Sequence, residues 1–438
     1  MKIIEGIDSS LIYISKYLKE DKNELESNGN GLFHENYPPE LFARNIIKII
    51  KEQGDYGLKR ITNYLEHNEN ISFRVTDDDR KKSLNNLDPK LRNALEISID
   101  RVKKFQKKTL PKSWDQNNGQ IGEIVTPIES VGAYIPAGTA PLLSTVIMTI
   151  IPAKVAGVKR TVICTPYNGD PSDNPIIGCA ELVGVTDIYN IGGAQAIGAL
   201  AYGTESINKV DYICGPGNIW VTAAKKEVYG EVGIDGIYGP TETMVIVDNT
   251  SNYNSAAYDL LAQSEHDILA RPILVSIGKK PADSVITILN KEVNNIDRKD
   301  IASHSINNMG LCFIVETENE VIKIANTIAP EHLSVNIEQP DYIANKSIKC
   351  GALFIGEHSA EVMADYIAGP SHVMPTGGTA RFNSALSSRN FVTITPFLRF
   401  NKETFTSIAK EAAIIADIEQ LEAHANSARI RLQEFDNE

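Results

Sequence analysis

Nowhere in the 438 residues does a basic run interleave with aromatic side chains, and the formal charge is −13. That balance argues against nucleic acid or an anionic membrane as a partner, since both attract positive surfaces. A membrane span is missing too. The most apolar segment, 140–158, is broken by Ser144, Thr145, Thr149, Pro152 and Lys154 and reads as a buried helix. The opening M-K-I-I-E-G-I-D-S-S places acids where a secretory signal would continue its apolar stretch. Cysteines are few and odd in number (164, 179, 214, 312 and 350), with no C-x-x-C. Buried, reduced thiols in a cytoplasmic protein are therefore expected, rather than disulfides or a thiolate metal site. Both common nucleotide signatures are absent as well. No G-x-G-x-x-G is followed by an acid about 20 residues on, and no Gly-Lys-Ser/Thr closes a phosphate loop.

What remains is an ordinary soluble composition, 42% hydrophobic and 23% charged. The chain exceeds the roughly 250–300 residues at which one core stops growing, so two or more domains are expected. The first ~110 residues look helical: Phe42, Ile46, Ile49 and Ile50, then Leu91, Leu95, Ile99, Val102 and Phe105, recur at three- and four-residue spacing. From about residue 122, β-branched runs such as T-V-I-C-T, D-I-Y-N-I, V-D-Y-I-C, M-V-I-V-D, I-L-V-S-I, L-C-F-I-V and A-L-F-I alternate with helix-length segments. Continuous apolar strands of that kind imply parallel sheets covered on both faces. One series fills roughly 131–241 and a second runs to about 356; duplication could relate them, though no residue-level repeat is present. The tail from Lys402 to Glu434 is helical and too small for its own core, so it needs its own body or a second subunit to pack on.

Ligands in open α/β sheets bind at strand ends. Three glycine-rich turns fall there: V-G-A-Y-I-P-A-G-T-A-P (131–141), I-G-G-A-Q-A-I-G (191–198) and C-G-P-G-N-I-W (214–220). Asn218 would cap a helix after G-P-G and leave backbone N–H groups aimed at a phosphate. Of eight histidines, four lie in organised segments. Gln263 and His266 would share a helical face in D-L-L-A-Q-S-E-H; Asp365 and His372 fall in an irregular loop; His424 ends L-E-A-H; Glu331 and His332 adjoin in A-P-E-H. Imidazoles with carboxylate or amide oxygens and no thiolate suit a catalytic rather than a structural zinc. His34, His67, His304 and His358 read as surface or hydrogen-bonded groups.

Taken together and in this order, V-G-A-Y-I-P-A-G-T-A-P, G-G-A-Q-A-I-G-A-L, G-P-G-N-I-W-V-T-A-A-K, G-P-T-E, D-L-L-A-Q-S-E-H, N-T-I-A-P-E-H-L, A-D-Y-I-A-G-P-S-H-V-M-P-T and I-E-Q-L-E-A-H-A-N-S-A resemble histidinol dehydrogenase over about residues 35–433. The resemblance implies one zinc per subunit on Gln263, His266, Asp365 and His424, the last supplied by the other subunit of a domain-swapped homodimer with shared active sites. It implies an acid–base pair, Glu331 and His332. Substrate contacts would come from Thr241, Gln263, His266, His332, Asp365, Glu419 and His424, and NAD contacts from Tyr134, Gln195 and Asn218. The implied reaction is oxidation of L-histidinol to L-histidine through the aldehyde with two NAD, ending histidine biosynthesis.

Pattern and resemblance together predict two open, mostly parallel Rossmann-like sheets with small helical ends. Residues 25–130 and 242–385 would form one discontinuous α/β domain carrying zinc and the acid–base pair, and 131–241 the NAD-contacting domain. A small packing domain would comprise 1–24 and 386–398, and a C-terminal segment, 399–438, would reach the partner. Three positions depart from the family's habit: Thr241 where Ser is usual, Pro370-Ser371 where Thr-Asn is common, and D-I-L-A-R-P after His266. Rival readings are a same-fold dehydrogenase of another small alcohol, such as a sulfonated diol, and a zinc hydrolase using Glu331.

Overall fold

The structure is a computed structural model describing residues 1–20, 38–66, 72–116, 118–137, 141–346 and 348–436. His34, His67 and residues 138–140 of the first glycine-rich turn lie outside these. The chain divides into two compact units: Met1–Leu110 with Ile128–Phe391, and Pro111–Pro127 with Val392–Glu438.

The first unit holds two all-parallel sheets. In the larger, the strands are β1 (Lys2–Glu5), β9 (Glu242–Val247), β10 (Arg271–Ile277), β11 (Leu311–Val315), β12 (His332–Asn336) and β13 (Ala352–Ile355), ordered β1-β11-β10-β9-β12-β13. The smaller contains β4 (Ser130–Tyr134), β5 (Arg160–Cys164), β6 (Asp187–Tyr189), β7 (Tyr212–Cys214) and β8 (Gly233–Ile234), ordered β6-β5-β4-β7-β8. Leaving β1 aside, both sheets place their strands third, second, first, fourth, fifth. The strand order thus repeats where the residues do not.

Alternation explains the burial. Met244 and Ile246 face a core with Val321, Ile324 and Ala325 of helix Glu318–Ile328, whereas Val245 and Val247 face Leu260, Leu261 and Val285 on the opposite side. Each such side chain contributes roughly 1.5–3 kcal/mol when fully buried. Around the smaller sheet, helix Pro39–Glu66 sets Phe42, Ile46 and Ile50 against Val162, Ile197 and Ile213. On that core, the helix sides with the smaller sheet and not with 242–385, because its apolar stripe faces that sheet's helices. Helix Pro89–Thr109 instead meets the 366–369 segment, Ser98 Oγ donating to the Tyr366 carbonyl at 2.5 Å.

The first residues also differ from the expected grouping. Lys2–Glu5 pairs in parallel with β11 and buries Ile4, so it extends the larger sheet instead of joining 386–398. In the second unit, β14 (Val392–Leu398) pairs antiparallel with β3 (Ile121–Pro127), which pairs in turn with β2 (Trp114–Gln116). Helices Lys402–Ile418 and Glu422–Asp436 follow. The five cysteines are free, four of them buried. No helix among the described residues is long and apolar enough to cross a membrane.

Candidate active site

The pair at 331–332 is set by how one helix stops. Helix Glu318–Ile328 ends at Ala329, which is buried and left-handed at φ 50°. Pro330 cannot continue the helix, and the chain turns directly into β12. His332 opens that strand and pairs with Thr243 of β9, so the pair stands at the amino ends of these two neighbouring strands.

One residue of β9 grips both. The N–H of Glu242 donates to Glu331 Oε2 at 3.0 Å, and the Glu242 carbonyl lies 3.1 Å from His332 Nδ1. A carbonyl can only accept, so Nδ1 carries a proton here, and the carboxylates around the ring favour one on Nε2 as well. Nε2 faces Asp365 Oδ1 at 3.4 Å. Thr241 Oγ1 donates to Glu331 Oε2 at 2.7 Å, so the hydroxyl at this position is engaged with the carboxylate. The side chain of Glu242 is held in turn by Arg271 Nη1 at 3.2 Å.

Carboxyl groups crowd the imidazole. Burial would push His332 down, but Glu331, Asp365 and Glu361 outweigh it and raise it to about 10. Burial raises Glu331, opposed by His332 and its two donors. Burial likewise pushes Asp365 up, yet the His332 hydrogen bond and charge hold it below the usual range. Three carboxyl groups about one imidazole favour its charged form.

The structure gathers Gln263 and Asp365 about His332. Gln263 Nε2 is 3.2 Å from Nδ1, and His266 lies within electrostatic reach of Asp365 and His332. Two local expectations are corrected. The helix carrying Gln263 ends at Ser264, so His266 sits on the turn after it, its N–H bonded to the Gln263 carbonyl. Asp365 is on a short helix, Glu361–Tyr366, not in an irregular loop. His372 anchors the following segment, its Nδ1 at 3.0 Å from the Asp365 carbonyl and Nε2 at 3.1 Å from Thr145 Oγ1. Glu419 and His424 belong to the second unit and are exposed. His304 and His358 are exposed too. Among the described residues, no three His, Cys, Asp or Glu group as a metal site. The first unit supplies one amide, one imidazole and one carboxylate, a nitrogen and oxygen set whose chemistry fits zinc with positions left open.

The three residues expected at a nucleotide lie at the carboxyl ends of the smaller sheet. Tyr134 ends β4, and its hydroxyl accepts from the Gly193 N–H at 3.2 Å. Gln195 is buried with Oε1 lacking any partner, beside a helix N-terminus, at Gly192, that has no side-chain cap. Asn218 caps helix Ile219–Val228, as its position after G-P-G predicts, accepting from Trp220 and Val221 N–H at 3.1 Å each. Together these fit an anionic dinucleotide, with an orphaned amide oxygen ready for a donor.

Sequence reasoning missed Glu242, Glu361 and Arg271. The only signal was position: Glu242 stands inside G-P-T-E, and Glu361 precedes Asp365 by one helical turn.

A family model described as histidinol dehydrogenase matches residues 40–432. The chain is 41% identical over 399 residues to the histidinol dehydrogenase of Bacillus licheniformis, covering 90% of this chain and 93% of that protein. It is 39% identical to that of Listeria monocytogenes, covering 99% and 100%. The crystal structure of histidinol dehydrogenase from Elizabethkingia anophelis matches with a TM-score of 0.90 at 30% identity, covering 100% of this chain and 99% of that one.

Proposed function

The chain belongs to the histidinol dehydrogenase family and is an NAD-dependent dehydrogenase, and on that footing we propose that it oxidises L-histidinol to L-histidine through the aldehyde, using two NAD, as the last step of histidine biosynthesis in the cytoplasm. The observation that carries this reading is the grip of Glu242 on Glu331 and His332 at once.

His332 Nε2 would take the hydroxyl proton as the alcohol loses hydride, a task for a neutral imidazole that needs a bound cation to offset the carboxylates holding the ring protonated. Glu331 then serves the second oxidation. Both its hydrogen bonds fall on Oε2, so Oε1 remains to orient and deprotonate the water that adds to the aldehyde. Gln263, His266 and Asp365 would hold zinc with His424 from the other subunit. When bound, that ion would serve as a template for the substrate and would offset the carboxylates around His332. Thr241 and Glu419 complete the substrate contacts, and Tyr134, Gln195 and Asn218 contact NAD.

A homodimer with shared active sites accounts for the second unit. Its helix Lys402–Ile418 exposes Ile408, Ile414, Ile415 and Ile418, an apolar face a lone chain leaves wet, and Glu419 and His424 follow directly.

Incubating purified protein with NAD and L-histidinol should yield two NADH per histidine. No NADH, or NADH with a sulfonated diol and none with histidinol, overturns the reading. Mixing inactive His266→Ala with inactive His424→Ala chains should restore activity at hybrid sites; failure despite subunit exchange removes the shared site.

A further inference from the structure

Helix Ile219–Val228 carries a lysine that does not face water. Lys225 is 2% exposed, one of the largest fully buried side chains among the described residues, and it pairs with Asp235, whose side chain is 0% exposed. A buried ion pair is weak ground for stability, because apolar residues of the same volume often serve as well. Its retention calls for another reason, and the partners supply one.

Both ends of the pair close on a single glycine. The Gly215 N–H donates to Asp235 Oδ2 at 2.7 Å, while Lys225 Nζ donates to the Gly215 carbonyl at 3.1 Å. Asp235 also accepts from Gly236 N–H at 2.9 Å, and the ammonium lies 4.8 Å from the centre of the Tyr238 ring. Gly215 follows β7 at φ 113°, and a Cβ there would collide with the carbonyl of Tyr134 at the end of β4. Strands β4 and β7 are the neighbours between which the strand order reverses, and ligands of such sheets sit in the crevice beyond them. Gly215 is therefore the floor of that crevice, with Tyr134 on one side and Asn218 three residues on.

We propose that Lys225 and Asp235 are positioning residues for the nucleotide: they fix the peptide groups of Gly215 so that Tyr134 and the cap at Asn218 are already placed before the cofactor arrives. This rests on the reading of the smaller sheet as the NAD seat. Preorganisation acts on affinity by removing ordering that binding would otherwise have to impose. The pair touches neither substrate nor the reacting atoms, so its loss should spare chemistry at saturating NAD.

Full-length Lys225→Met and Lys225→Met/Asp235→Asn enzymes test this beside the unaltered one. Expected is a rise of about tenfold in KM for NAD and in Kd for NADH by fluorescence titration, with kcat at saturating NAD and KM for L-histidinol held within about threefold. A purely structural pair would lower the melting temperature and leave those ratios alone, so folded variants that bind NADH as the unaltered enzyme does overturn the proposal. Should neither variant fold, hydrogen exchange on the unaltered enzyme decides. Peptides spanning 214–220 should be protected without NADH, and open-loop exchange until NADH is added overturns it. If the unaltered enzyme binds no NADH, the nucleotide seat itself fails, and the proposal with it.

Discussion

The two parallel sheets of the first unit share a strand order and differ in which end holds their candidate site residues. In the smaller sheet, Tyr134, Gln195 and Asn218 lie beyond the carboxyl ends, where glycine turns leave room and helix N-termini favour anions. In the larger sheet, Glu331, His332 and Thr241 stand at the amino ends of β9 and β12. Its carboxyl end is laced shut. Asp248 takes N–H groups from Thr250 at 2.8 Å and Glu338 at 3.0 Å, Ser251 Oγ bonds the Asn336 carbonyl, and Asn252 reaches Glu357 at 2.7 Å. The acids there would repel a dinucleotide. A repeated architecture thus offers a crevice twice, and side-chain chemistry decides whether it opens.

The sharpest way to break that comparison is His332→Ala. It should lower kcat of the first oxidation roughly 10²–10⁴-fold, the usual worth of a general base, and leave NADH binding untouched; weakened NADH binding in a fluorescence titration would join two ends we separate. Next, Glu331→Gln should slow oxidation of the aldehyde more than that of the alcohol, and equal loss in single-turnover assays of both steps would contradict a water-activating carboxylate. Asp248→Ala should leave both KM values alone and destabilise by roughly 1.5–3 kcal/mol in urea, the worth of a hydrogen bond to a charged group; a changed KM for NAD would mean the closed crevice is used.

A further test concerns Glu361. Burial pushes its carboxyl up to about 8, and Thr243 Oγ1 donates to it at 2.5 Å. A raised folded value means the neutral form is favoured: the stabilisation is complete below the unfolded range near 4.5 and fades as pH climbs through 8. Glu361→Gln keeps a neutral group, so its melting temperature should gain on the unaltered enzyme between pH 5 and 8. A constant gap across that window would deny the buried acid.

Much of this was legible. Runs such as M-V-I-V-D announce strands buried on both faces because no polar residue interrupts them. Lys2–Glu5 escaped because four residues with one buried side chain give no periodicity, and the antiparallel ribbon because its strands are largely exposed. The resemblance pointed to Glu331, His332 and Asp365, but could not reveal Glu242, whose work is done by its backbone. Lys225 hid for the opposite reason: K-K near a helix end looks like solvated charge, and its partner lies ten residues on, beyond any helical spacing.

The double hold of Glu242 has a further consequence. With the imidazole hung from its carbonyl and the carboxylate from its amide, neither group can drift without the other, so any slip of β9 along β12 would displace both at a stroke. The spacing between the two proposed proton handlers is thus tied to the pitch of the sheet itself.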